Sequence, residues 1–228
     1  MGRAKKESYF TPQTILEKSQ RMLLDCAPDQ HLERLRQYDP RRSALLVLDM
    51  QEYFLHPSSH AWVPSAGPIL SGVQSLVSAY AARGLPIVFS RHLNTPQDAG
   101  RMSTWWRHLI ADGDELSRLT PALDTGAGIT LVKTQYDAFF HTALEALLQA
   151  RQVTQVVICG VMTHLCCETT ARSAFMRGFE VFFTVDGTAT YTEAYHRAAL
   201  LNLAHGFATP VLVSELLPTL DETSHAHP

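Results

Sequence analysis

The chain has 228 residues, 46% of them hydrophobic and 18% charged, with a formal net charge of −3. Such a length accommodates one large domain with a substantial core, and the balance is ordinary for a globular protein. The small charge gives no reason to expect nucleic acid or an anionic membrane as partner, and no apolar run approaches the roughly 18 residues of a membrane span.

"MGRAKKESYF" has a basic start without an apolar stretch behind it, so it does not read as a secretory signal, and Lys6 stands where a myristoylation motif needs Ser or Thr. Cys26, Cys159, Cys166 and Cys167 follow no metal-ligand spacing and form no disulfide framework. A reducing, cytoplasmic setting is the expectation.

In chain order, "TPQTILEKSQRMLLDCA" carries apolar residues at helical spacing, with Thr11 as cap and Pro12 in the first turn. "DQHLERLRQY" reads as a second short helix and "DPRR" closes it, so residues 1–42 are predicted to be a helical extension. "SALLVLDM" is a continuous apolar run ending in a carboxylate, as expected of a strand buried on both faces. "AGPILSGVQSLVSAYAARG" is an amphipathic helix ended by Gly84, and "LPIVFSRH" is the next buried strand. "STWWRHLIA" reads as a short helix on a long excursion over residues 93–128. "GITLVKTQYDAF" is a strand that runs out into polar and aromatic residues. Then come "TALEALLQARQ" as helix, "TQVVICGV" as strand and "CETTARSAFMRG" as helix. "FEVFFTVDGTA", "EAYHRAALLNLAHG" and "ATPVLVSELL" follow as strand, helix and strand, and residues 218–228 are predicted to be a flexible tail.

This alternation predicts an α/β fold. The sheet is doubly wound and mostly parallel, with about six strands and helices on both faces in three layers. No linker, repeat or low-complexity tract divides residues 43–217, so they read as one domain. In such sheets ligands bind outside the carboxyl ends of the strands, near a switch in strand order.

Three reactive features fall at those ends: Asp49, Lys133 and the pair Cys166/Cys167. A carboxylate finishing "ALLVLD" and an ammonium finishing "ITLVK" are costly to bury unless paired, and a purely structural ion pair is one reading. The cysteines supply another. A thiol in the first turn of a helix, beside free N–H groups and an ammonium, is expected to favour thiolate. A nearby carboxylate could take the thiol proton and return it, which is the logic of an activated nucleophile. Cys167 is followed by Thr170, Ala171 and Ala174, a small-residue face suited to packing on the sheet. That leaves Cys166 to project toward the strand ends.

"LLVLDMQEYF", "VKTQYDAF" and "CGVMTHLCCETTARSAFMRGFEV" resemble, in order, the three motifs of the isochorismatase-like hydrolases, or cysteine hydrolases. The resemblance covers residues 43–217. It implies that Asp49 transfers protons, that Lys133 is its cationic partner and that Cys166 is the nucleophile. It also implies a cis peptide at Val161–Met162, with the N–H groups of Met162 and Cys166 as oxyanion donors.

Two chemistries occur in that family. Its amidohydrolases attack an amide, carbamoyl or lactam carbonyl through the cysteine. Its isochorismatases cleave a vinyl ether by acid–base chemistry, which would make Asp49 a general acid, and usually carry Gly at the position of Cys166. Cys166 argues for carbonyl attack, whereas the extension, "DMQEYF" and "AFMRGF" resemble the isochorismatase branch and enzymes of secondary metabolism.

The family's nicotinamidases carry an Asp-x-His metal site after the second strand. "SRHLNTPQD" offers His92 without that pattern, so no metal or other cofactor is expected, and nicotinamide ranks below other amides. His92 reads as pocket-lining or structural. Gln51 and Phe54 after Asp49, Tyr136 and Phe139 after Lys133, Trp105 and Trp106 on the excursion, and His164 before the nucleophile are the candidate substrate contacts. Packing is the competing reading for Gln51, Phe54 and His164. The expected partners are a small-molecule substrate and further copies of the chain, as dimer or tetramer. Three rivals remain: a nucleotide-binding module, which lacks its glycine motifs; a thiol sensor, which lacks a resolving-cysteine layout; and a non-catalytic relative.

Overall fold

The computed structural model describes residues 6–27, 31–106 and 108–222. All six residues of β1 (Ser43–Leu48) are buried, as a strand covered on both faces requires. It joins β2 (Ile87–His92), β3 (Ile129–Lys133), β4 (Gln155–Val161), β5 (Glu180–Ala189) and β6 (Thr209–Val211). The six strands pair in parallel in the order β3-β2-β1-β4-β5-β6.

The helices are α1 (Ile15–Cys26), α2 (His31–Leu35), α3 (Glu52–Leu55), α4 (Ala66–Ala82), α5 (Met102–Trp105), α6 (Leu144–Ala150), α7 (Glu168–Met176), α8 (Glu193–Gly206) and α9 (Val213–Glu222). On α4, Ile69, Val73, Leu76, Val77 and Tyr80 recur at helical spacing and are buried. That stripe lies against β1, β2, β4 and β5, and α4 also packs on α9. Helices α1, α7 and α8 form a second group on β5 and β6.

Strand order changes direction between β1 and β4, and the register brings the carboxyl ends level. Leu48 is opposite both Ser90 and Gly160, and His92 is opposite Lys133. The residues that follow these positions therefore emerge together at the switch point, where this sheet type places ligands.

Gly160 has φ +117, and a Cβ there would run into the backbone of Leu48. Gly160→Ala is expected to lose about 3 kcal/mol or more in denaturant unfolding, because strain and clash act together. An unchanged midpoint would show that β1 and β4 can separate freely.

Several predicted boundaries are corrected. Residues 6–10 are not helical. Thr11 is not the cap of α1: its carbonyl accepts from Thr14 and Ile15 N–H, and the helix begins at Ile15 after this turn. Helix α2 covers only His31–Leu35, with residues 28–30 outside the described part, and α5 stops at Trp105.

The run 208–217 is not one strand. Leu212 N–H donates to Glu215 Oε2 at 2.7 Å and Val213 N–H to Asp186 Oδ1 at 2.8 Å, which caps a helix start. Leu216 and Leu220, four apart, then reach the core. The tail predicted from 218 is thus helical to Glu222, and residues 223–228 lie outside the described part. No helix among the described residues is long and apolar enough to cross a membrane.

Candidate active site

Asp49 leaves β1 with φ 51 and is fully buried. Its N–H meets Ser90 O at 3.2 Å and Ser90 Oγ at 3.1 Å, while Ser90 Oγ donates to Asp49 Oδ1 at 2.6 Å. Ser90 thereby fixes one carboxylate oxygen and turns the other toward Lys133, whose Nζ stands 2.8 Å away. A carboxylate oxygen carries two lone pairs, so beside the ammonium Oδ2 still has one for a proton.

Lys133 Nζ also lies 2.9 Å from Gln135 O, 3.3 Å from His92 Nδ1 and 3.3 Å from Cys166 Sγ. An ammonium has three protons to share among these acceptors and Asp49. Burial works against its charge, but Asp49 and Cys166 together hold its pKa above the ordinary lysine value.

Cys166 reaches this point from the other side of the switch. After β4 the chain passes through a cis peptide, Val161–Met162, into a π-helical turn over Thr163–Cys167 that precedes α7. Met162 O accepts from Leu165 N–H at 3.0 Å and from Cys167 N–H at 3.3 Å. The nucleophile candidate therefore stands ahead of α7 rather than in its first turn. Cys166 is 6% exposed, and ligand atoms of Asp49, His92 and Cys166 all come within 4.8 Å of one another. Cys167 is fully buried in the apolar core.

The expectation of a resting thiolate is corrected. Burial, followed by the Asp49 charge, pushes the Cys166 thiol up to about 12, and Lys133 offsets only part of this. The thiol rests protonated, so its proton must move as the sulfur attacks.

The Isochorismatase domain family matches residues 43–215 of this sequence. The chain belongs to that family. The chain is 41% identical to Nicotinamidase 3 of Arabidopsis thaliana over 180 residues, which cover 77% of this chain and 87% of that protein. It is 28% identical to the Isochorismatase of Bacillus subtilis (strain 168) over 188 residues, covering 80% of this chain and 59% of the relative. A crystal structure of a cysteine hydrolase from Pseudomonas syringae pv. phaseolicola 1448A superposes with a TM-score of 0.78 at 27% identity, covering 81% of this chain and 95% of that one.

In this isochorismatase-family hydrolase, His92 is a neutral buttress of the cluster. Burial and the Lys133 charge push it down to about 4. Its Nδ1 accepts from the ammonium, so Nε2–H donates to Asn94 Oδ1 at 2.8 Å, and Asn94 Nδ2 donates to Thr134 O at 2.9 Å. Buried His196 is likewise pushed down, to about 3.

Because both imidazoles resist protonation when folded, the unfolded chain binds more protons between pH 6.5 and about 4, and stability falls as pH falls through that window. At about 1.4 kcal/mol per pKa unit, His92 and His196 should each remove about 2 kcal/mol by pH 5. Urea midpoints at pH 7 and pH 5 measure this, and a flat profile contradicts it.

The substrate-side candidates separate. Tyr136 OH accepts Trp106 Nε1–H at 2.8 Å, and Tyr136 follows Gln135, whose carbonyl meets Lys133 Nζ, which places this pair beside the cluster. Trp105 is 69% exposed. His164 pairs Nδ1 with Thr190 Oγ1 at 2.6 Å and stacks on Tyr195.

Gln51, Phe54 and Phe139 make packing and backbone contacts. Gln51 is buried with its amide fully used: Oε1 accepts from His92 N–H, and Nε2 donates to His92 O and Ser117 O. It splices the ends of β1 and β2 to the excursion. Phe54 is a core residue packed on Tyr53, and Phe139 is one packed on Phe179 and the Arg177 guanidinium.

Ser90, Asn94 and the Gln135 carbonyl were missed. Ser90 had a signal: it is a polar residue directly after the apolar run "IVF", two positions before the strand end.

The Asp-x-His metal pattern is not met at the end of β2, which reads His92, Leu93, Asn94. Among the described residues the one ligand group of suitable spacing is Asp49, His92 and Cys166, and the Lys133 ammonium already contacts all three. These residues do not fit a metal. Surface clefts of about 520 and 350 Å³ lie elsewhere, the larger one lined by Arg34, Phe182, Phe207 and Thr209 and the smaller by Gly84, Ile87 and Ile129.

Proposed function

We propose that this hydrolase cleaves a C–N bond other than a peptide bond, in an amide, carbamoyl group or lactam of a small molecule, through an acyl-enzyme on Cys166. The observation that carries the reading is the cysteine itself: its sulfur is 3.3 Å from Lys133 Nζ, which is 2.8 Å from Asp49 Oδ2. The similarity to Nicotinamidase 3 supports it and returns nicotinamide to the substrates worth testing.

The steps follow from the charges. As Sγ bonds to the carbonyl carbon, its proton passes to Asp49 Oδ2, and the carbonyl π pair moves to oxygen. The N–H groups of Met162 and Cys166 receive that oxyanion, a role implied by the family motif. Collapse breaks the C–N bond, and the nitrogen departs with the proton from Asp49, leaving a thioester. Water then gives a proton to Asp49 as it attacks, the C–S bond breaks, and the sulfur recovers its proton. Lys133 stays charged throughout and steadies the sulfur and carboxylate in turn.

An ammonia-release screen over small amides, ureas and lactams, with nicotinamide included, tests this together with intact-mass detection of the acyl adduct. A second reading has its own support. Asp49 Oδ2 could hold a proton for donation to a vinyl ether, and one relative is named Isochorismatase. Cys166→Gly discriminates, since acid–base cleavage of isochorismate survives it and carbonyl attack does not. Turnover of isochorismate without adduct or ammonia from any amide would replace the first reading with the second.

A further inference from the structure

The segment 6–10 crosses loops at the carboxyl end of the sheet. Glu7 N–H donates to Tyr191 O at 2.8 Å, and Glu193 N–H donates to Glu7 Oε2 at 3.1 Å, both beyond β5. On the β1 side, Lys6 Nζ donates to His60 O at 2.6 Å, Ser65 Oγ donates to Glu7 O at 3.2 Å, and Phe10 N–H donates to Ser65 Oγ at 3.1 Å. The segment thus joins the loop that follows Asp49 to the loop that follows β5.

Tyr9 adds a link to the nucleophile turn. Its hydroxyl lies 3.1 Å from His196 Nδ1 and accepts from Thr190 N–H at 3.0 Å. Thr163 Oγ1 lies 3.0 Å from the same His196 nitrogen, and Thr190 Oγ1 holds His164 Nδ1 at 2.6 Å. Tyr9, Thr163, Thr190 and His196 are all buried. Thr163 and His164 open the π-helical turn that carries Cys166. Two of the turn's residues therefore hang on one buried network, and Tyr9 is the member supplied by the N-terminal segment.

We infer that Tyr9 is a positioning residue for the nucleophile: through His196 and Thr163 it sets where the turn 163–167 holds the Cys166 sulfur. This rests on Cys166 being the nucleophile. The physical reason is that the sulfur must stay close to Asp49 for its proton to leave, and a displaced turn breaks that reach. The segment has independent anchors at Glu7, Phe10 and Ser65, so removing one hydroxyl alters the turn without detaching the segment. His196 is neutral, which leaves Nδ1 able to accept a hydroxyl proton.

Tyr9→Phe, Thr163→Val, their combination and Thr163→Ser test the idea by the rate at which chloroacetamide alkylates Cys166, read by peptide mass spectrometry with Cys26 as reference. Tyr9→Phe and Thr163→Val should each slow alkylation about tenfold. The double variant should be no slower than the worse single, since both act along one path. Thr163→Ser, which keeps the hydroxyl, should react like the parent.

Crystal structures of the parent and Tyr9→Phe should show Sγ moved away from its 3.3 Å contact with Lys133 Nζ. An unchanged or faster rate in Tyr9→Phe, an unmoved sulfur, or a Thr163→Ser variant as impaired as Thr163→Val overturns the inference. If Cys166→Ala keeps full turnover, the nucleophile assignment falls instead, and the crystallographic displacement still decides the role of Tyr9.

Discussion

Cys166→Ala and Cys166→Ser are expected to lose at least about 10⁴-fold in kcat while folding normally. The sulfur is the atom in contact with Lys133. A serine hydroxyl, less acidic and less nucleophilic than a thiol, would have to give its proton to the same buried carboxylate. Truncation at a site beside two charged groups removes little apolar contact, so the unfolding midpoint should hardly move. Cys167→Ala is the control with the opposite profile. Its thiol is packed in the apolar core, so the change should cost about 1 kcal/mol of stability and leave most activity. Turnover and thermal melting of the three variants measure both effects. An inactive Cys167→Ala beside an active Cys166→Ala would reverse the assignment.

Lys133→Met should be the most destabilising change at the site. Lys133 and Asp49 are both withdrawn from water, and the substitution strands the Asp49 carboxylate without its ammonium. Breaking such a pair costs about 3–5 kcal/mol, mostly as the penalty of an uncompensated buried charge. Activity should vanish as well, because Lys133 also touches Cys166 and His92. Adding Asp49→Asn removes the stranded charge, so the double variant should recover much of the stability and none of the activity. Urea unfolding of the single and double variants checks the first part and the ammonia assay the second. A double variant as unstable as the single would mean that the cost lies in packing rather than in charge.

Much of the architecture was readable because its signals are local. β1 announces itself by an unbroken apolar run, α4 by its helical stripe, and their alternation with further strands predicts the parallel sheet. Where neighbouring chain decides, the reading slipped. "ATPVLVSELL" is apolar enough for a strand, yet Asp186, 27 residues upstream of Val213, and Glu215 cap a helix there. Gln51 and Phe54 follow Asp49 in sequence, where pocket lining and packing both stand open; in the fold Gln51 bonds to the backbone of His92 and Ser117, and Phe54 packs into the core.

What the sequence determined by itself was the type of sheet, its strand ends and the candidate triad, since spacing and motif order are properties of the chain. Only the tertiary structure decided how those groups behave. Ser90 orients the carboxylate, four acceptors crowd one ammonium, and burial keeps the thiol protonated where helix position alone suggested the anion. Hydration and hydrogen bonding set a group's charge state, and both are supplied by residues far away along the chain.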